Sequence, residues 1–133
     1  MYTVIVAADT DERRAVAQAE AVASLPGADD EVRVVLLHVF ESNPEGASVT
    51  QVRAVRRAAD ALDEAGVDYT LRESSGDPAT IILETARELE ADLICLCGRK
   101  RTPTGKVLFG SVTQSVILSA DRPVLTAPVE SAE

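Results

Sequence analysis

Short runs of apolar and β-branched residues alternate with longer helix-like segments along the chain, and this alternation most constrains the fold. Apolar runs of this length, buried on both faces, are typical of strands in a parallel sheet. The predicted strands are Tyr2–Ala8, Glu31–Phe40, Val67–Ser74, Asp92–Cys97 and Val124–Val129, and the predicted helices between them are 11–25, 49–65, 78–90 and 111–119. Because each crossover between parallel strands is right-handed, this order predicts an α/β fold with a five-stranded parallel sheet and helices on both faces. We expect a single domain over residues 1–133.

Composition narrows the classes of protein to which the chain could belong. Hydrophobic residues make up 46% of it but aromatic residues only 3%, so the core must consist of Val, Leu, Ile and Ala, as is usual between helices and a parallel sheet. The net charge of −9 argues against a nucleic-acid partner, because nucleic-acid binders are basic. The chain shows neither a run of 18 apolar residues nor an N-terminal leader, which predicts a cytoplasmic protein with no membrane partner.

The basic residues have an unusual distribution. Both lysines, Lys100 and Lys106, lie in one glycine-bearing stretch, 98–114, which also contains Arg99 and Arg101 and has no acidic residue. Every other basic residue is Arg, and acids are numerous. This pattern predicts the salt-adapted surface of a halophile; the alternative is an ordinary acidic protein from a GC-rich genome.

The stretch 98–114 connects a predicted strand to a predicted helix. Such connections bind anions, because glycines let backbone N–H groups approach the ligand and the helix N-terminus carries partial positive charge. The sequence therefore predicts an anion site here.

Catalytic motifs are not evident. One histidine, His38, does not support a Ser-His-Asp set, and Gly105-Lys106 is followed by Val107 rather than by the Ser or Thr of a phosphate-binding loop. We therefore expect a protein that is not an enzyme, with slow ATP hydrolysis left open. Cys95 and Cys97 are interpreted as buried residues of a strand rather than as metal ligands.

Several segments together resemble the universal stress protein family over nearly the whole chain. Val4–Asp9 is similar to the opening strand of that family with its terminal Asp, and Leu37-His38-Val39 to the end of its second strand. Gly76-Asp77-Pro78, Ala91–Ile94, Gly110-Ser111-Val112 and Asp121–Leu125 follow in the family's order. The resemblance implies the strand order 3-2-1-4-5, as in the adenine-nucleotide alpha-hydrolase-like fold.

The resemblance also implies a site for ATP or AMP, with Mg²⁺ accompanying ATP. Asp9 would accept a hydrogen bond from the adenine amino group or a sugar hydroxyl, with Ala7 and Val39 lining the base. Cys97 and Gly98 would contact adenine and ribose. Gly110, Ser111 and Val112 would bind the phosphates through backbone N–H groups and a hydroxyl.

The nucleotide signature of the family is Gly, two residues, Gly, nine residues, then Gly-Ser or Gly-Thr. Here Arg101 occupies the second glycine position, and only eight residues separate it from Gly110. Gly105 would supply the flexible point of a rebuilt loop. Arg101 could block the phosphates, or it could bind them through its guanidinium group.

Three functions follow from these observations. The first is a stress-response protein that binds an adenine nucleotide and acts through its conformation or its partners. The second is a homodimeric interaction module of the same fold that binds no nucleotide. In either case we expect a homodimer formed through the last strand, Val124–Val129, at the edge of the sheet. A third is an adenylyl-transferring or flavin-binding relative, which the lack of a second domain disfavours.

Overall fold

The computed structural model describes residues 1–41, 46, 48–101 and 106–130, without the side chains of 99–101, 106, 107 and 130. Its strands are β1 (Tyr2–Ala7), β2 (Val32–Phe40), β3 (Asp68–Ser75), β4 (Leu93–Arg101), β5 (Lys106–Leu108) and β6 (Val124–Glu130). Its helices are α1 (Glu12–Ala23), α2 (Ala28–Glu31), α3 (Arg53–Glu64), α4 (Pro78–Glu88) and α5 (Ser111–Ser119). A 3₁₀ turn at Val49–Gln51 precedes α3.

Five of the six strands in the sheet are parallel, and they lie in the order β3-β2-β1-β4-β6. Since β6 is the fifth strand predicted from the sequence, this confirms the order 3-2-1-4-5. The central strand β1 pairs with β2 and β4, and Val6 lies opposite Leu36 on one side and Cys95 on the other. The winding of the chain reverses between β1 and β4, where ligands bind in open sheets of this kind.

The connection after β4 differs from the simple loop predicted for residues 98–114. Strand β4 continues to Arg101, and β5 returns antiparallel to it, with Arg101 opposite Lys106 and Arg99 opposite Leu108. Because β6 occupies one edge of β4 as far as Lys100, β5 must pair with the other edge, beyond the end of β1. Strand β5 thereby satisfies backbone groups of β4 that β1 is too short to reach.

Each face of the sheet has its own core of small aliphatic residues. Helices α1 and α3 cover one face, where Ala15, Ala19 and Leu62 pack against strand residues such as Val6 and Leu36. Helices α4 and α5 cover the other face, and Ile82, Ala86 and Val116 there contact Ile5, Leu37 and Ile94. This arrangement confirms helices on both faces. The buried members of the two cores are Val, Leu, Ile, Ala and Cys, with the partly buried Tyr69 packed against one of them.

The helices begin at residues suited to that position. Asp11 and Asp77 cap α1 and α4 by accepting hydrogen bonds from the N–H groups of Arg14 and Thr80. Gly110 precedes α5 and provides no capping side chain. In the described part of the chain, no helix combines the length and apolar character that crossing a membrane requires.

Candidate functional site

A cleft of about 770 Å³ lies at the carboxyl ends of β1, β2 and β4, at the point where the winding reverses. Seven of the nine predicted site residues line it: Ala7, Asp9, Val39, Cys97, Gly110, Ser111 and Val112. Their segments are far apart in sequence and meet here because the carboxyl ends of parallel strands share one edge of the sheet. The structure thus brings together most of the predicted site in one cavity.

The other two predicted site residues, Gly98 and Arg101, are not among the described residues that line the cleft. Gly98 is buried within β4, opposite Pro128 of β6, and is not among the residues that line the cleft. Arg101 lies at the start of the β4–β5 hairpin, and its side chain is outside the described residues. Gly105, the predicted flexible point of the loop, is also outside them.

One end of the cleft is apolar. It is formed by the end of β2 and the start of α4, with Leu37, Val39, Phe40, Pro78 and Ile82. His38 is buried beside it, and its Nδ1 lies 2.8 Å from the carbonyl oxygen of Ala8. Because that oxygen can only accept, Nδ1 carries the proton. The His38 ring also packs edge to face against the Phe40 ring, with 4.6 Å between the two ring centroids. This contact holds Phe40 in the wall of the cleft.

The N-terminus of α5 lies at the other end of the cleft. The hydroxyl of Thr113 donates to the carbonyl oxygen of Cys97 (3.2 Å) and so ties the first turn of α5 to the end of β4. The amide of Gln114 donates to the carbonyl oxygen of Phe109 (2.8 Å), just before the helix. A Cβ built on Gly110 meets no atom of the described residues within 4 Å, so this part of the chain leaves space before the helix start.

An ion pair stands at the rim of the cleft. Arg14 Nη1 donates to Asp9 Oδ2 (3.0 Å), and the Asp11 N–H donates to Asp9 Oδ1 (2.8 Å). Both oxygens of Asp9 are therefore oriented by α1. Burial lowers the pKa of Arg14, but the hydrogen bond and charge of Asp9 outweigh this effect and leave that pKa above its ordinary value.

The floor of the cleft consists of Gln18 and Cys97. Gln18 is buried on α1, and its Nε2 donates to the carbonyl oxygens of Ala7 (2.8 Å) and Cys95 (3.1 Å). Burial raises the pKa of the Cys97 thiol to about 11, against a smaller opposing effect of Arg14. Cys97 is thus a neutral, weakly polar surface at neutral pH.

Sequence reasoning missed Arg14, Gln18, Phe40 and Thr113 as residues of this cleft. Gln18 had a recognisable signal, because it shares the buried face of α1 with Ala15, Ala19 and Val22. A long polar side chain within an apolar stripe needs a hydrogen-bond partner, which points to the strand ends beneath it. Arg14 carried no comparable signal, because an arginine on the first turns of a helix is most often solvated.

Metal ions in proteins are bound by clusters of His, Cys, Asp and Glu side chains. Among the described residues, no group of three His, Cys, Asp or Glu side chains is placed to hold a metal ion. Cys95 is buried and Cys97 half-buried, and both are free thiols.

Comparison with known proteins identifies the family. The chain matches the Universal stress protein family over residues 1–128. A universal stress protein of Mycolicibacterium smegmatis is 40% identical over 65 residues, which are 48% of this chain and 50% of that protein, so the match spans about half of that relative's length.

Solved structures agree with this match. A universal stress protein from Archaeoglobus fulgidus has a TM-score of 0.77 and 26% identity, covering 95% of this chain and 98% of that one. A universal stress protein crystallised with cAMP has a TM-score of 0.71 and 25% identity, covering 98% and 97%. Because the family model matches residues 1–128, nearly the whole chain, the chain belongs to the universal stress protein family.

Proposed function

We propose that this chain binds an adenine nucleotide, ATP or AMP, in the cleft. The observation that carries the proposal is the N-terminus of α5, which opens into the cleft at Gly110 with free space before it. The first N–H groups of a helix have no partner within that helix, and together with its dipole they favour an anion. Ser111 adds a hydroxyl at the same point. A phosphate group is the ligand best suited to this end.

The rest of the cleft suits a nucleoside. Its far end is apolar, with Val39 and Phe40 in the lining, and suits the apolar faces of a base. Between the two ends, the Asp9 carboxylate offers acceptors to an amino group or a sugar hydroxyl, and Arg14 holds its orientation. Along the cleft, the apolar end, the acceptors and the helix N-terminus follow the same order as the base, the sugar and the phosphate of a nucleotide. A family member at 25% identity crystallised with cAMP supports the same class of ligand.

Magnesium would enter with ATP rather than be held by the protein. Asp9 and Asp11 lie near the cleft, but Arg14 pairs with Asp9, and the described residues offer no cluster of three ligands. Mg²⁺ commonly binds through phosphate oxygens and water with only one or two carboxylates. In the cell, we propose a cytoplasmic role in stress response, exerted through conformation or partner binding rather than catalysis.

Calorimetric titration with AMP, ATP and cyclic AMP tests the proposal. Gly110→Val should lower affinity at least about tenfold, because its side chain would fill the space before the helix N-terminus. The variant should fold normally, because Gly110 has an ordinary φ of −70° and a Cβ there meets no neighbour. Ser119→Val, at the exposed far end of the same helix, is the matched control. If the wild type gives no heat with any of the three nucleotides, the proposal is wrong.

Arg101 is tested in the same titration. If its guanidinium group binds phosphate, Arg101→Gly should weaken ATP binding more than adenosine binding. If Arg101 obstructs the site, the same variant should tighten ATP binding. Adenosine serves as the internal control because it lacks the phosphates that Arg101 would contact. Ser111→Ala separates the hydroxyl of Ser111 from the backbone contribution of the helix start.

We also propose that the protein forms a homodimer through β6, with or without nucleotide. Strand β6 pairs with β4 on one side, where the Ile94 N–H donates to the carbonyl oxygen of Pro123 (3.1 Å). In a parallel ladder the next residues alternate, so Val124, Thr126 and Pro128 direct their backbone groups away from β4. No described strand covers that edge. Pairing with the same strand of a second copy would satisfy those groups.

A further inference from the structure

Gln18 is a buried polar side chain that lines the cleft. Gln18 is only 1% exposed. Its Nε2 lies 2.8 Å from the carbonyl oxygen of Ala7 and 3.1 Å from that of Cys95. Two carbonyl oxygens can be satisfied only by the NH₂ group, so the orientation of the amide is fixed by its surroundings. Both protons are therefore engaged, one with the end of β1 and one with Cys95 of β4.

The oxygen of the same amide faces the cleft. Within the described part of the chain, Gln18 Oε1 has no hydrogen-bond partner, and no fully buried side-chain oxygen or nitrogen lacks one. Gln18 is among the residues that line the cleft, and with Nε2 engaged by two carbonyl oxygens, Oε1 is the amide atom left to meet a ligand there. Since the donors are engaged elsewhere, Gln18 presents an acceptor and nothing else to a ligand.

The position of Gln18 indicates which part of a ligand it meets. The amide lies between β1 and β4, while the apolar end of the cleft belongs to β2. With neighbouring strands about 4.8 Å apart, the gap between β1 and β4 is about 7 Å from β2. The start of α5 lies beyond it, tied to Cys97 of β4. Gln18 is thus placed between the base end and the phosphate end, beneath the sugar of a bound nucleotide.

We infer that Gln18 Oε1 accepts a hydrogen bond from a ribose hydroxyl and makes the cleft select ribonucleotides over deoxyribonucleotides. The inference rests on the proposed nucleotide function and adds a residue that determines sugar specificity. The neighbouring polar groups favour the same ligand group, because the Asp9 carboxylate is also an acceptor and the Arg14 guanidinium is paired with it. A hydroxyl satisfies these acceptors, whereas a C–H group leaves the buried amide oxygen desolvated and unpaired.

The wild-type protein provides the first test, by titration with AMP, 2′-deoxy-AMP, 3′-deoxy-AMP and IMP. We expect one of the two deoxy ligands to bind about tenfold more weakly than AMP, the effect of one buried hydrogen bond left unmade. Equal affinity for AMP and both deoxy ligands overturns the inference while leaving the nucleotide function standing. Failure to bind any of the four removes the proposed function itself, so the two failures are distinguishable.

Gln18→Met provides the second test, because it keeps the length of the side chain and removes the acceptor. The variant should lose affinity for AMP but not for the deoxy ligand that the wild type binds more weakly. The ratio of its affinities for AMP and for that deoxy ligand should therefore fall to about one. Gln51→Met, at an exposed position of the 3₁₀ turn outside the cleft, is the control and should keep the wild-type ratio. An unchanged ratio in Gln18→Met assigns the hydroxyl to Asp9 and overturns the inference. If the substitution instead changes the ratio of the affinities for AMP and IMP, Gln18 lies at the base, and this result also overturns the inference.

The variant also loses two hydrogen bonds to strand carbonyls, so its unfolding temperature is measured alongside the titration. Should Gln18→Met fail to fold, the wild-type titration still decides the outcome. That titration needs no substitution, since the change is made in the ligand.

Discussion

Charged and polar side chains of the cleft constrain one another closely. Asp9 is held by the Arg14 guanidinium and by the Asp11 N–H, and Asp11 in turn caps α1. Below them, Gln18 joins the ends of two strands. Because Arg14 and Gln18 lie on α1 and Asp11 caps it, the position of one helix sets the polar wall of the site.

Cys97 offers a residue-scale prediction. Burial raises the pKa of its thiol to about 11, so at pH 8 about one thiol in a thousand is the reactive thiolate. Native protein should therefore react slowly with iodoacetamide, at a rate that rises about tenfold per pH unit until the pH approaches that pKa. Mass spectrometry of the alkylated protein measures this rate.

Cys97→Ser is the control, because the buried Cys95, whose pKa is raised to about 12, should stay unlabelled in folded protein. A bound nucleotide should slow the labelling of Cys97 further, since this thiol lines the cleft. Fast labelling at pH 7, with a labelling rate that is half its maximum near pH 8.5, would contradict the raised pKa of the Cys97 thiol.

The sequence predicted the site residues that stand at chain positions with a recognisable pattern. Asp9 follows an apolar strand, and Gly110-Ser111 precede an amphipathic helix, so both could be placed at the carboxyl edge of the sheet. Gly98 is not among the described residues that line the cleft, because its strand continues past Cys97 and pairs it with Pro128 of β6, so its contact with a nucleotide stays a prediction. Phe40 could not be placed, because its position depends on contacts with His38 and α4.

At the scale of elements, the start of α4 depends on one carboxylate. Asp77 accepts hydrogen bonds from the Thr80 hydroxyl (2.8 Å) and the Thr80 N–H (3.1 Å), which hold its pKa below the ordinary value. The folded state therefore favours the charged form of Asp77. Its stabilising effect is complete above the ordinary pKa of about 3.9 and is lost as the pH falls below it.

Asp77→Asn should reduce this acid sensitivity, because an amide oxygen still accepts from Thr80 but does not titrate. Near neutral pH the two proteins should have similar unfolding temperatures, and below pH 3.5 the variant should be relatively more stable. Asp68→Asn, an exposed substitution on β3, should keep the wild-type slope of unfolding temperature against pH. Parallel curves for wild type and Asp77→Asn would show that this cap contributes nothing to the acid transition.

The elements themselves were largely predictable, and the hairpin was not. Helix α5 has the predicted bounds, Ser111–Ser119, because glycine precedes it and the chain turns at Asp121-Arg122-Pro123. Strand β5 is only three residues long, and nothing in Lys106-Val107-Leu108 predicts its pairing. It forms because β1 ends early and leaves an edge of β4 uncovered, a relation between segments about 100 residues apart.

At the scale of the whole molecule, we expect the dimer to depend on the free edge of β6. Thr126→Pro removes an outward N–H group while the bonds to β4 remain, so it should give a monomer by light scattering. Thr126→Ser keeps the N–H group and should remain a dimer. A wild-type protein that is already monomeric at micromolar concentration would contradict the proposal.

The architecture of the molecule was predictable because alternation of strands and helices allows few parallel folds, and the family resemblance supplied the strand order. The salt-adapted surface stays a prediction. It rests on the numerous acids and on a basic set that is arginine except for two lysines, a pattern that the fold itself does not explain. A general charge imbalance affects solubility and association rather than topology.

The bridge made by Gln18 also bears on how the chain folds. It joins Ala7, 11 residues away, to Cys95, 77 residues away, so the floor of the cleft forms only after β4 docks beside β1. Closing so long a loop is a slow, late event in folding. A ligand lying across the gap between β1 and β4 stabilises contacts that are absent from early folding states. Such a ligand would therefore lengthen the lifetime of the folded protein and leave its folding rate nearly unchanged.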